Sequence, residues 1–272
     1  MLDLMVSCKD YAAREKFILK NLIDMKKLDP WLVVIQIGDD SASNSYIKAK
    51  QRDCAEVGIQ CDVVKLPVDV SHSELRGHIM VYNRLSKVDG IILQLPVPPH
   101  IDVDDIRYLI DPRKDVDGFG PDSMYDPCTP KGIIEYLEEN RFEFEGVNAC
   151  VVGRSNIVGK PLARMLSEKD CTVTLCNSHS NLENVLPWQD IVFTCTNQIE
   201  HLDSKLFCPP QAVIDIGLGR NAEGKLCGNL TQGAIKRLQG TDCTVISGTG
   251  GVGLLTRIGL LWNVYNAAKR RM

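Results

Sequence analysis

Short apolar runs rich in β-branched residues alternate along this chain with stretches that repeat apolar side chains every three or four positions. The runs at 32–37, 59–65, 89–93, 149–153, 172–176, 191–194, 212–216 and 244–247 have the length and composition of buried strands. The stretches at 45–57, 72–85 and 161–168 have helical periodicity, and a long one at 253–271 is apolar on more than one face. Strands alternating with helices predict an α/β fold with parallel sheets covered on both faces. A turn-rich segment at 111–130, containing Gly118, Gly120, Pro121, Pro127 and Pro130, interrupts the alternation once. Two α/β domains facing a cleft are therefore expected. The first spans 1–126 and the second, Rossmann-type, spans 127–254. The C-terminal helix 255–272 is expected to return to the first, because its apolar surface needs a large partner.

Composition narrows the class. The 272 residues are 44% hydrophobic and 24% charged, close to globular averages and away from disordered or fibrous chains. The formal net charge of −4 lacks the basic excess of a nucleic-acid binder. No apolar run approaches the ~18 residues of a membrane helix. The first residues mix Asp3, Lys9, Asp10, Arg14 and Glu15 among apolar positions, unlike a secretory leader. Eleven cysteines, irregularly spaced and without a C-x-x-C pair, suit reduced thiols better than a disulfide scaffold or a zinc site. No resident metal is expected, and the chain reads as a cytoplasmic protein with a small-molecule partner.

Two regions carry candidate chemistry. The strand ending at Val152 runs into Gly153-Arg154-Ser155-Asn156-Ile157-Val158-Gly159-Lys160-Pro161. A strand, a glycine turn and a helix start put free backbone N–H groups where a pyrophosphate binds. Ser155 stands where the common dinucleotide fingerprint has its middle glycine. The next strand ends in Asn177-Ser178-His179-Ser180, without the acid that holds an NAD ribose. Arg154 with these hydroxyls suits a 2′-phosphate, hence NADP, although Arg154 also reads as a solvated surface arginine. In the first half, Ser43-Asn44-Ser45 is expected to cap a helix on which Tyr46 and Lys50 share a face. A desolvated lysine beside a phenol suits general-base work; a surface lysine with a packed tyrosine is the ordinary alternative. Gln94 closes a parallel strand at the end where such sheets bind ligands. Asp115 and Asp117 lie in the segment between the halves, where solvated turn acids are common.

Taken together, Tyr46-x-x-x-Lys50, Gln94-Leu95-Pro96, Lys114–Phe119, Pro127-Cys128-Thr129-Pro130-Lys131-Gly132 and the 153–161 turn resemble the bifunctional methylenetetrahydrofolate dehydrogenase/cyclohydrolase family. The resemblance runs from about Leu32 to Arg270 and is poorer over the first 25 residues. It implies oxidation of 5,10-methylenetetrahydrofolate with NADP, followed by hydrolysis to 10-formyltetrahydrofolate, in a homodimer. It further implies Lys50 as the catalytic lysine, with Tyr46 stacking on the folate and, together with Gln94, keeping the lysine neutral. Asp117 would grip the pterin amino-amide edge, and Gly250 and Gly251 would border the substrate. The cofactor would contact Gly153, Arg154, Ser155, Ser178, Leu218 and Thr256. By the same implication, 1–126 is the folate-binding catalytic domain and 127–254 the NADP-binding one.

Three departures stand out. The family's T-P-V-P-G-G-V-G-P-M-T loop reads Ile246-Ser247-Gly248-Thr249-Gly250-Gly251-Val252-Gly253-Leu254-Leu255-Thr256 here, with Ser247, Thr249 and Leu254 in place of prolines. A looser loop is expected. Asn197 replaces a usual glycine, and Asn229 a usual aspartate. These changes leave open a cyclohydrolase with weakened dehydrogenase activity, or a folate-binding relative without turnover. Intact Lys50 speaks against the last.

Overall fold

The computed structural model describes residues 7–208 and 212–271. Residues 1–6 and 272 of the expected first domain lie outside the described residues. The chain divides into two compact units. One comprises Ala13–Cys128 with Arg257 onward; the other comprises Thr129–Thr256 with the chain up to Ala12. The division thus cuts both terminal helices, α1 (Cys8–Lys26) and α9 (Gly253–Arg271). The expected boundaries at 126/127 and 254/255 lie within two residues of the observed breaks. The first turn of α1, expected in the first domain, groups instead with residues 129–256.

In the unit around residues 13–128, β1 (Trp31–Ile37), α2 (Ser41–Val57), β2 (Gln60–Leu66), α3 (His72–Arg84), β3 (Gly90–Gln94) and α4 (Val103–Leu109) follow in sequence. The strands form a parallel sheet in the order β2-β1-β3, with Gln36 of β1 in register with Gln94 of β3. Leu32–Ile35 and Ile91 are fully buried, as are Leu75 and Ile79 of α3, which explains the unbroken apolar runs. Because β1 is central, the chain passes from β1 to β2 on one side of it and returns to β3 on the other. That makes the C-terminal ends of β1 and β3 a topological switch point, where open α/β sheets place ligands.

The unit around 129–256 contains α5 (Cys128–Glu139), β4 (Asn148–Val152), α6 (Gly159–Ser167), β5 (Thr172–Cys176), α7 (Leu182–Val185), β6 (Ile191–Thr194) and β7 (Ala212–Asp215). The short hairpin β8 (Gly219–Arg220) and β9 (Leu226–Cys227) follows, then α8 (Gln232–Gln239) and β10 (Thr244–Ser247). Five strands form a parallel sheet in the order β10-β7-β6-β4-β5, so β4 again lies at a switch point. All eight expected strands are present. The hairpin was not expected, since two-residue strands carry no periodicity.

The turn-rich segment is held by a buried acid. Asp115, 1% exposed, accepts hydrogen bonds from the backbone N–H of Phe119 (3.1 Å) and Gly120 (2.7 Å), closing the loop that carries Asp117. Burial pushes its carboxyl pKa up to about 6, against the pull of those two N–H groups. Between about pH 4 and pH 6 the folded protein therefore binds this proton more tightly than the unfolded chain, and stability falls as pH rises through that window. From this group the fall amounts to about 3 kcal/mol. Urea denaturation at stepped pH is expected to show the decline in the wild type and a shallower one in Asp115→Asn. Parallel curves for the two proteins would contradict this.

Candidate active site

Helix α2 starts at Asp40, not within the Ser43-Asn44-Ser45 run. Asp40 is extended (φ −67°, ψ 127°), and its carboxylate accepts from the N–H of Ser43 at 2.7 Å. The expected caps are one turn too late because their backbone is already helical and their side chains bond elsewhere. Asn44 accepts from Gln36 Nε2 at 2.8 Å, and the Ser43 hydroxyl donates to Leu95 O at 3.4 Å. The start of α2 is thereby tied to the ends of both β1 and β3.

The buried stripe of α2 is Ser43, Ile47, Lys50, Asp53, Cys54 and Val57. Lys50 is only 5% exposed, so it is not a surface lysine. Its Nζ lies 5.0 Å from the Tyr46 ring centroid and donates to Gln94 Oε1 at 3.1 Å. The Gln94 amide is oriented in turn by donating from Nε2 to Leu95 O at 2.8 Å, which leaves Oε1 facing the lysine. Tyr46, Lys50 and Gln94, 44 residues apart between the last two, thus meet at the switch point.

Asp117 is half-buried on the loop between α4 and α5. Its backbone carbonyl accepts from the N–H of Cys128 at 3.3 Å. The fully buried Cys128 thiol is pushed well up, first by burial and next by the Asp117 charge, while the charge of Lys50 acts in the opposite sense. Cys128 therefore lies within electrostatic reach of both proposed side chains. Asn263 of α9, 2% exposed, donates to Val116 O (2.9 Å) and Asp126 O (3.1 Å) and pins the two ends of this loop together.

Sequence reasoning missed Asn263, and it also missed Asp53. The Asp53 carboxylate is 4% exposed and pairs with Arg257 of α9 and with Lys16 at 3.6 Å. The available signal was its place on the apolar stripe of α2, where an acid requires a buried cation.

In the other unit, Gly153 follows β4 with φ +121°, and its N–H donates to Cys176 O at 3.0 Å. A Cβ there would lie 2.5 Å from Cys195 O, and one on Gly159 would lie 2.0 Å from Gly153 O. Only glycines permit this approach of strand and helix. α6 begins at Gly159, two residues before the expected start, so Pro161 sits inside its first turn. Ser155 Oγ accepts from the N–H groups of Val158 (3.2 Å) and Gly159 (3.4 Å), serving the role of a cap for this helix. Arg154 is exposed and makes no ion pair among the described residues. Ser178 is exposed on a turn shaped by Asn177, whose Oδ1 accepts from the His179 N–H at 2.8 Å. No acid lies in that turn. A glycine cradle beside an unpaired arginine and an acid-free turn fits a dinucleotide carrying an extra phosphate.

Leu218 is 52% exposed just beyond β7. The departures have physical counterparts. Asn229 is fully buried: its Oδ1 accepts from the Thr196 N–H at 3.0 Å, while Nδ2 donates to Thr196 O (3.1 Å) and to Gln198 O. An aspartate could accept but not donate, so this loop is built around the amide. Asn197 has an ordinary negative φ, and replacing glycine there brings no backbone strain. The proline-poor loop forms one wide helical turn, Gly248–Val252, running into α9. Gly250 has φ +86°, and a Cβ on Gly251 would lie 2.9 Å from Ile246 Cγ2. Thr256 donates its hydroxyl to Val252 O and meets the Thr129 hydroxyl, each at 3.0 Å, so it closes this turn from within the helix.

Comparison with known proteins agrees with this geometry. The catalytic-domain profile of tetrahydrofolate dehydrogenase/cyclohydrolase matches residues 6–117, and the NAD(P)-binding-domain profile of the same family matches residues 127–272. The chain is 40% identical over 271 residues to the bifunctional protein FolD of Ruminiclostridium cellulolyticum, covering 95% of this chain and 94% of that protein. The bifunctional FolD enzyme of Campylobacter jejuni superposes with a TM-score of 0.91 at 32% identity, over 98% of both chains. The Trypanosoma brucei dehydrogenase-cyclohydrolase, solved with NADP and an inhibitor, gives 0.89 at 26% identity, over 97% of both. With both domain profiles matched in order across nearly its whole length, the chain belongs to the tetrahydrofolate dehydrogenase/cyclohydrolase family.

Proposed function

We propose that this protein oxidises 5,10-methylenetetrahydrofolate with NADP and hydrolyses the resulting methenyl compound to 10-formyltetrahydrofolate. The observation that carries the reading is the buried Lys50 amine, held between the Tyr46 ring and Gln94 Oε1. An amine kept from solvent, with one oriented acceptor, is restricted to a single position from which it can direct a water at the electrophilic carbon. Tyr46 offers a ring face for the flat folate. Asp117, on a loop pinned by Asp115 and Asn263, offers two acceptor oxygens to the pterin's paired donors. Gly250 and Gly251 would border the substrate.

When bound, the nicotinamide supplies the hydride acceptor. The N–H groups after Gly153, with Ser155 fixing the start of α6, would hold the pyrophosphate; Arg154 and Ser178 would meet the 2′-phosphate. Leu218 would lie against the nicotinamide side. Thr256 would contribute by holding the 248–252 turn rather than by spending its engaged hydroxyl on the cofactor. The protein would work as a cytoplasmic homodimer, as the family resemblance implies, and its eleven free cysteines suit a reducing compartment.

Lys50→Met keeps most of the stem's packing and removes the amine. Methenyl hydrolysis, followed as loss of the methenyl chromophore, is expected to collapse while folate binding stays within a few-fold. Wild-type hydrolysis in this variant would remove Lys50 from the mechanism. Asp117→Asn presents a donor to the pterin's own donors, at a cost of about 1–3 kcal/mol. Its KM for folate is expected to rise in both reactions together; a rise in only one would show that Asp117 does not carry recognition. Arg154→Ala is expected to weaken NADP binding about tenfold and leave NAD nearly unchanged. Equal losses for the two cofactors, measured by fluorescence titration, would assign Arg154 a structural role.

A further inference from the structure

At the N-terminal end of the β2-β1-β3 sheet, remote from Lys50 and Gln94 by the length of β3 (roughly 16 Å at ~3.3 Å per residue), lies a cavity of about 420 Å³. Five cations line it, Arg84, Arg113, Lys114, Arg270 and Arg271, against one carboxylate, Asp89. They come from three parts of the chain: the end of α3, the 111–127 segment and the end of α9.

Three of the five are engaged. Arg271 donates from Nε to Asp89 (2.7 Å) and from Nη2 to Asp29 (2.6 Å). Arg113 pairs with Asp111 at 2.7 Å. Lys114 donates to the carbonyls of Tyr82 (3.0 Å) and Leu85 (2.6 Å), closing the C-terminal end of α3. Arg84 and Arg270 have no carboxylate partner among the described residues, and Arg270 is held with its guanidinium 5.1 Å from the Tyr125 ring centroid. Two guanidinium groups, one steered by an aromatic ring, thus border one concavity whose only acid among the described residues is already paired. Like charges gathered this way repel, and a compact anion removes the repulsion. A tetrahedral phosphate accepts paired N–H groups from several directions at once, which cations on separate walls require; a planar carboxylate serves one arginine. The volume lies within the range of small-ligand sites.

We propose that this cavity is a second ligand site, separate from the folate and dinucleotide residues, and that it binds a compact polyphosphate. Arg84 and Arg270 are its principal contacts, with Lys114 and Arg113 adding field. An inorganic diphosphate and the phosphate tail of a nucleoside triphosphate share this chemistry.

Calorimetric titration of the full chain with sodium pyrophosphate, and separately with ATP, tests the assignment. NADP is kept saturating so that the turn at Gly153–Ser155 is filled. One equivalent of probe is expected to bind, more weakly as salt rises. Arg84→Ala and Arg270→Ala should each weaken it by about tenfold or more, and the double variant should bind neither probe. Arg84→Lys, which keeps the charge but not the fork, should fall between. Tighter binding of ATP than of pyrophosphate would identify a nucleotide as occupant; equal binding would identify the inorganic anion. Thermal melting checks that the exposed substitutions leave the fold intact. No binding by the wild type, or undiminished binding by the double variant, overturns the proposal, and neither result bears on Lys50 or Arg154.

Discussion

A buried amine must find an acceptor, and much of the sheet unit is arranged around supplying one to Lys50. The lysine occupies a core position of α2, so leaving its amine without any acceptor would carry the cost of an unsatisfied buried donor. Gln94 meets it from a strand 44 residues away. Gln94 in turn needs the Leu95 carbonyl to fix which end of its amide faces the lysine, and the same carbonyl receives the Ser43 hydroxyl from the first turn of α2. Helix and strand are therefore joined twice within one small network. A change in the register of either would strand a polar group in the core.

The same unit is closed from the far end of the chain. α9 supplies Arg257 to the buried Asp53, Asn263 to the carbonyls of Val116 and Asp126, and Arg271 to Asp89. Removing one partner of a buried ion pair costs far more than the pair contributes on its own, so these contacts act chiefly as specifications of position. They fix where α2 and the Asp117 loop lie. The helix's other apolar residues, such as Leu260, Leu261 and Val264, are buried to about the same degree as sheet residues. Gly90–Leu93 of β3, between the Lys50–Gln94 pair and the cation-lined cavity, are buried.

In the nucleotide unit, backbone proximity takes the place of side-chain networks. Gly153 and Gly159 bring strand and helix closer than any Cβ allows, and Ser155 adds a cap where the common motif has a glycine. Asp215 at the end of β7 accepts from the Thr194 hydroxyl (2.8 Å) and the N–H groups of Asn229 (2.8 Å) and Leu230 (3.2 Å), while burial raises its pKa. A second carboxylate at position 229 would crowd this acid. An amide there avoids the repulsion and supplies two donors to the 196–198 loop. The unusual residue is thus consistent with its surroundings.

The sequence by itself determined the strands, the parallel α/β class, the break into two halves and the positions of Tyr46, Lys50, Gln94 and the 153–161 turn. These are legible because burial periodicity, glycine turns and strand ends are local properties of the chain. The cap at Asp40 was within reach too, but three good capping residues in a row hide which one is extended. The family resemblance implied that Gln94 meets Lys50; only the tertiary structure decided that Lys50 is buried, that Asp53 answers Arg257 and that five cations gather at the opposite end of the sheet. Those facts join residues dozens to two hundred positions apart. No local pattern of side chains encodes such a pairing, because its energy exists only after the segments are brought together and water is removed from between them.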